Sequence, residues 1–178
     1  MQAKTKNFLK LNLVVATLIG LSALSGTAYA GTATSNLPVS ATVSANCTID
    51  ASSGVSFGAY DPVVTNASTG ADLTATGTIS TTCTNGASVT VTLGQGSNAD
   101  TGSTDAAPLR RMLANTSDYL SYQLYTDSAH TTVWDNTTGA SVTGTGAAVS
   151  TTVYGLVTKG QNVPSGNYSD TVVATVTF

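Results

Sequence analysis

Apolar side chains recur at every second position near both ends of this chain. In the first run Leu37, Val39, Ala41, Val43, Ala45 and Cys47 alternate with Ser40, Thr42, Ser44 and Asn46. In the last, Val172, Ala174, Val176 and Phe178 do the same, and the pattern runs to the final residue. A period of two places such residues on one face of a β-strand. Strands are predicted at 37–49, 72–82, 87–93, 119–126, 147–158 and 168–178, with shorter ones at 55–60 and 108–113. Between them lie turn-rich stretches such as "VVTNASTGA", "GQGSNADTGSTDAAP", "DNTTGASVTGTG" and "KGQNVPSGN". Helical periodicity is almost absent. Short strands with such breaks predict one all-β sandwich domain.

A terminal strand leaves an edge that must be paired or tolerated. The segment ahead of the first run, "GTATSN", holds small residues and no core anchors, which predicts a free, extendable arm. Pro38 suits a strand only at an edge or near its start. Two readings stand open on pattern alone. The arm lies beside the C-terminal strand of its own molecule in a closed sandwich, or beside that of a neighbour in a head-to-tail polymer.

Residues 1–30 differ from the rest. Lys4, Lys6 and Lys10 precede the short apolar run "LNLVVATLIGLSAL", and the stretch closes on Ala28-Tyr29-Ala30. This is the form of a secretory signal peptide, with cleavage after Ala30. Its removal leaves Arg110, Arg111 and Lys159 against nine carboxylates, a net charge of −6. Such a surface cannot neutralise a phosphate backbone, which argues against a nucleic-acid partner. Charged residues are only 8% of the chain, with Thr, Ser, Gly, Ala and Val in their place, as suits strands and turns. In an exported chain the two cysteines, Cys47 and Cys83, are expected to form one disulfide. Closing that loop stabilises the fold by roughly 3–4 kcal/mol.

Several motifs tempt a chemical reading. Gly54-Val55-Ser56-Phe57-Gly58 matches G-x-S-x-G, but that nucleophile elbow needs a strand-to-helix turn. Here strand and then turn are expected, and His130 is the sole histidine. Among Tyr119, Tyr122 and Tyr125, parity places the first and last on one face of a strand and Tyr122 on the other. Trp134 is expected to pack rather than to form a sugar platform with Tyr125. The adjacent Arg110 and Arg111 point to opposite faces, with a carboxylate such as Asp61 or Asp118 the expected partner. The Asp residues lack calcium-loop spacing, and no metal, cofactor, small-molecule substrate or enzymatic activity is expected. Sequon matches such as "NAS" and "NTS" follow from abundant Asn and Thr.

The stretches "NCTID", "FGAYDP", "ISTTCTNG", "LRRML", "YLSYQLYTD", "TVYGLV" and "VPSGNYSDTVVATVTF" occur in the order found in the spore coat protein U domain family. The chain resembles that family over 37–178, and within it the major rod subunits of Csu-type archaic chaperone–usher pili. The resemblance implies an incomplete immunoglobulin-like β-sandwich, completed by a donor strand from a neighbouring subunit. It implies a signal peptide at 1–30, an arm and donor strand at 31–45 and a pilin domain at 46–178. Ala33, Leu37, Val39, Ala41 and Val43 become donor plugs. Val172, Ala174, Val176 and Phe178 border the acceptor groove and meet a periplasmic chaperone, whose basic residues would take the Phe178 carboxylate. The implied partners are identical and other pilus subunits, the chaperone and an outer-membrane usher. The implied place is the cell surface, where such fibres serve adhesion and biofilm formation. Cys47 and Cys83 match the family's disulfide positions. Two other readings remain: a self-complemented coat or matrix protein, and a minor or tip adhesin.

Overall fold

A computed structural model of the chain describes residues 29–178. The signal-peptide reading falls almost wholly on 1–28, outside the described residues. The chain divides into two units after Ser40. Residues 29–40, the described part of the first, are exposed and carry no regular secondary structure.

The second unit is built from eight strands: β1 (Cys47–Asp50), β2 (Leu73–Cys83), β3 (Ser88–Leu93), β4 (Arg110–Ala114), β5 (Asp118–Tyr125), β6 (Ala140–Thr143), β7 (Ala148–Val157) and β8 (Ala174–Thr177). They form a five-stranded sheet in the order β1-β2-β7-β5-β4 and a three-stranded sheet in the order β6-β3-β8. Every pairing between them is antiparallel. The long β2–β7 ladder runs from Leu73↔Val157 to Thr82↔Ala148 and forms the backbone of the larger sheet. Alternation sends Ile79 and Val153 inward from that ladder, Leu124 from β5, and Val91 and Leu93 from β3. This is the all-β sandwich that the period-two pattern predicts.

Trp134 and Arg110 tie the two sheets together. Trp134 is fully buried. Its main-chain N–H donates to Leu124 O of β5 at 2.9 Å, and its indole Nε1–H to Val91 O of β3 at 2.8 Å. The packed role expected for Trp134 is the one it has. Arg110 is 1% exposed, and its guanidinium donates to Gly94 O (2.9 Å), Leu93 O (3.0 Å) and Trp134 O (2.8 Å), and to the Gln123 side chain. The expectation of a carboxylate partner at Asp61 or Asp118 is therefore corrected. Converging carbonyl dipoles satisfy Arg110, while the outward Arg111 meets Asp100 at 2.9 Å and lies 4.0 Å over the Tyr119 ring. Burial lowers the Arg110 pKa to about 10, against partial support from Tyr122, Asp170 and Asp135, so it stays charged at neutral pH.

Four strand expectations change. Of 37–49, only the end is a strand: among the described residues 37–45 make no backbone–backbone hydrogen bond, and Asn46, which bonds Thr84, leads into β1. Residues 55–60 and most of 168–173 carry no strand either. β6 falls inside the stretch read as a turn; its four residues pair with β3 although Gly139 and Gly144 flank them. Cys47 and Cys83, opposite each other in the β1–β2 register, are joined as expected.

Candidate binding cleft

The sheets do not close along their whole length. β1 and β8, edge strands of different sheets, approach to within 8 Å between Cα atoms. Beyond them the chain at 51–62 and at 163–174 parts to leave a cleft of about 1010 Å³. Ile79, Leu93, Leu120, Leu124 and Val153 form its apolar floor.

One wall has an unpaired edge. β8 pairs with β3 alone, in the register Leu93↔Ala174 and Val91↔Val176. Gly94 N–H donates to Val173 O at 2.9 Å. Antiparallel alternation therefore turns the main-chain polar groups of Val173 and Thr175 toward β3, and those of Val172, Ala174 and Val176 toward the open side. The side chains of Val172, Ala174 and Val176 face the core and lie half-buried against it. Val173, on the opposite face, is exposed. Among the described residues, the main chain of 55–60 on the facing wall makes no backbone–backbone hydrogen bond. Two rims of unsatisfied main chain over an apolar floor are the requirements for adding an extended strand.

A polar cluster fixes the β8 wall. The Tyr122 hydroxyl donates to Asp170 Oδ2 at 2.7 Å, and Asp170 Oδ1 accepts from Ser97 N (2.9 Å), Asn98 N (3.2 Å) and Asn98 Nδ2 (3.0 Å). Burial, reinforced by the Asp170 carboxylate, raises the Tyr122 pKa well above the usual phenol value, so it remains a donor. On the other wall the Tyr60 hydroxyl donates toward Asn66 O and Thr158 O and accepts from Gln161 N. Asp61 accepts from the N–H groups of Val63, Val64 and Thr65, which holds its pKa below the usual carboxylate value. Both rims are thus tied back to the sandwich at one end.

Of the residues singled out in the sequence, Val172 and Ala174 line this cleft. Val176 packs against the core beyond it, and Phe178 is 55% exposed at the chain end. Ala33, Leu37, Val39, Ala41 and Val43 are exposed and outside any strand; Leu37, Val39 and Val43 are each more than 80% exposed. The lining residues Val55, Phe57, Met112 and Tyr122 were not among those singled out for the site. Val55 and Phe57 do alternate in "GVSFG", and that alternation was the available signal. Tyr122 lies on the inner face with Leu120 and Leu124, opposite Tyr119 and Tyr125, as parity predicts. No helix follows Gly58, so the strand–turn–helix setting of a nucleophile elbow is not formed. His130 sits edge-on to Tyr125 and Tyr154, at centroid distances of 5.2 and 6.5 Å. Among the described residues no three His, Cys, Asp or Glu side chains converge on a metal-sized site.

Comparison with known proteins agrees with this architecture. The model of the Spore Coat Protein U domain matches residues 33–175. "Protein U" of Myxococcus xanthus is 46% identical over 157 residues, which cover 85% of this chain and 88% of that protein. Among solved structures, a chain of the chaperone–tip adhesion subunit pre-assembly complex from the archaic chaperone-usher Csu pili of Acinetobacter baumannii superposes with a TM-score of 0.55 at 20% identity. The match covers 77% of this chain and 40% of that one. At that identity the likeness is one of fold: an immunoglobulin-like sandwich left incomplete along one edge.

Proposed function

This chain belongs to the Spore Coat Protein U domain family, and from that premise we propose that it is a structural subunit of a surface pilus assembled through a chaperone–usher pathway. Residues 31–45 are the donor arm, whose Ala33, Leu37, Val39, Ala41 and Val43 seat in the cleft of the next subunit. A periplasmic chaperone fills the cleft first, with the Phe178 carboxylate as its anchor, and an outer-membrane usher exchanges that strand for the arm. Identical subunits then follow head to tail, with the signal peptide at 1–30 directing export and the fibre serving adhesion and biofilm formation. The process is strand exchange, and no bond chemistry is required of the chain.

The observation that carries this reading is the apolar cleft beside the unpaired side of β8. Left bare, it is an aggregation hazard; filled, it satisfies main chain and floor together. The period-two arm supplies a complementary strand, and a slip of one residue would turn its apolar face outward. The test is a gel of surface-sheared protein, run with and without boiling in SDS. A ladder of multiples that collapses to one band on heating is expected. A single band unchanged by heating would point instead to a self-complemented coat protein, a reading the family's name favours. Deleting 31–41 separates the two: it abolishes the ladder in the first case and destabilises the monomer in the second.

A further inference from the structure

The turn at the end of the 51–62 wall holds two apolar side chains outward. Val63 is 80% exposed and Val64 72%. Their main chain is fixed nonetheless. The Asp61 carboxylate accepts from the N–H groups of Val63, Val64 and Thr65, and the ring of Pro62 locks its own φ. Asn66, 1% exposed, closes the turn. Its N–H donates to Asp61 O at 2.8 Å, its Oδ1 accepts from Asp61 N at 3.0 Å, and its Nδ2 donates to Ala71 O at 2.8 Å. Gly160 N–H, just past β7, donates to Asn66 O at 2.8 Å. A turn tied at so many points keeps its valines off the sandwich. One exposed apolar residue needs no explanation, whereas an adjacent pair held out at the rim of a cleft is a surface for contact.

Strand sense decides what reaches this turn. Tyr60 and Pro62 line the cleft, as do Val163 and Pro164. The Tyr60 hydroxyl reaches Thr158 O, past the C-terminal end of β7. Ser169 bridges Leu113, whose partner Tyr119 on β5 also lies beyond that end of β7. Both walls therefore have an end at the same end of the larger sheet, and β8 runs away from it toward Phe178. Every strand pairing in the sandwich is antiparallel. A strand added to the free side of β8 in that sense finishes its course beside Tyr60 and Pro62. Val43 is the last plug of the arm, and only Ser44, Ala45 and Asn46 separate it from Cys47 of its own domain. Four extended steps span about 13 Å. Asn46 is not slack: its N–H donates to Thr84 Oγ1 and its carbonyl accepts from Thr84 N, each at 3.0 Å. The domain that supplies the arm is thus set down next to the turn at 61–66.

The end of the domain from which the arm leaves is suited to that contact. Gly146 N–H donates to Cys83 O at 2.9 Å and Gly86 N–H to Gly144 O at 2.8 Å, so the turns at 84–87 and 144–147 flank the disulfide. Asn85, Gly86, Thr145, Gly146 and Ala147 are exposed there, and neither turn holds a charged residue. In a chain with nine carboxylates, an uncharged end can approach a like domain without repulsion. We infer that the turn at 61–66 is a seat for the domain that donates the arm, with Val63 and Val64 packed against the 84–87 and 144–147 turns of a second copy of this chain. This inference rests on the strand-addition reading. It adds a contact between domains, which fixes the angle between successive subunits.

The test uses the mature-length chain, residues 31–178, with Val64→Cys labelled by a polarity-sensitive maleimide dye. Emission is read from the labelled monomer at high dilution, after adding a synthetic peptide of residues 31–45, and after adding excess unlabelled chain. A blue shift is expected with the chain and not with the peptide. A shift with the peptide as well would mean that the strand itself covers the turn, and no shift with the chain while a heat-sensitive ladder forms would mean that nothing does; either overturns the seat. The second variant pairs Val63→Ser with Val64→Ser. It is expected to capture the peptide as wild type does and to release a captured full chain several-fold faster. Release at the wild-type rate, or impaired peptide capture, would also count against the seat. Should wild type capture no peptide and form no heat-sensitive ladder, the strand-addition reading fails and the seat falls with it.

Discussion

The two ends of the sandwich interior are held in different ways. At one end, Trp134 and Arg110 join the sheets through buried hydrogen bonds to Val91, Leu93, Gly94 and Leu124. At the other, 51–62 and 163–174 face each other across an apolar cleft, and half-buried side chains do the covering. Buried polar groups with full complements of partners fix one arrangement, because each lost partner leaves an unsatisfied group in a low-dielectric interior. Apolar contact carries no such directionality and can be exchanged for contact with another strand. The difference teaches how one small domain combines two kinds of holding: the pinned end defines the sheets, and the open end rests on contacts that another strand could replace.

The comparison breaks first at the pinned end. Trp134→Ala should lower stability by about 3–5 kcal/mol, as for other buried large-to-small changes, read as a fall in the thermal midpoint of the monomer. Removing the disulfide by paired Cys47→Ser and Cys83→Ser should cost roughly 3–4 kcal/mol, and a reducing agent should lower the wild-type midpoint similarly. Arg110→Met, which orphans the Leu93 and Trp134 carbonyls, should cost about 2 kcal/mol in denaturant unfolding. The contrast sharpens at the arm. Val39→Asp changes an 87% exposed side chain, so monomer stability should move by no more than about 0.5 kcal/mol while the SDS ladder is lost. The smallest effect belongs to acid. The Asp61 pKa is depressed by the N–H groups of Val63, Val64 and Thr65. Its contribution is therefore present above the unfolded value of 3.8 and lost as pH falls through the folded value. Amide exchange at 63–65 should quicken below about pH 4, with the Trp134 end unaffected.

Much of this was legible in the chain. The long runs at 72–82 and 147–158 pair almost throughout, because alternation and β-branched content agree with tertiary packing. The cysteine pair and the burial of Trp134 followed from export and composition. Other features were not readable. The alternation at 37–46 is as regular as any, yet those residues form no strand, since a pattern records which face is apolar and not whether a partner is within reach. β6 was hidden because four residues between glycines look like a turn until β3 is seen beside them. Arg110 defeats charge-matching: its acceptors are carbonyls from Leu93, Gly94 and Trp134, brought together only by folding. In the cleft, parity gives Val172 and Ala174 one shared face, and it is the family resemblance that implies a groove beside them; both line the cleft. The floor contributed by β2, β5 and β7 depends on sheet order, which periodicity does not encode.

The cross-link between Cys47 and Cys83 would have a mechanical consequence in the fibre proposed above. In the proposed fibre, tension carried along the arm would enter the domain beside Cys47, the first residue of β1. Four residue pairs hold that edge strand to β2, and a pull at its end would unzip them one after another. The bridge sits at the first of those pairs, so the load passes across a covalent bond into β2. From there it spreads into the β2–β7 ladder, whose ten pairs must yield together in shear. A thin thread of such domains would carry strain through its longest ladders and spare its shortest strand.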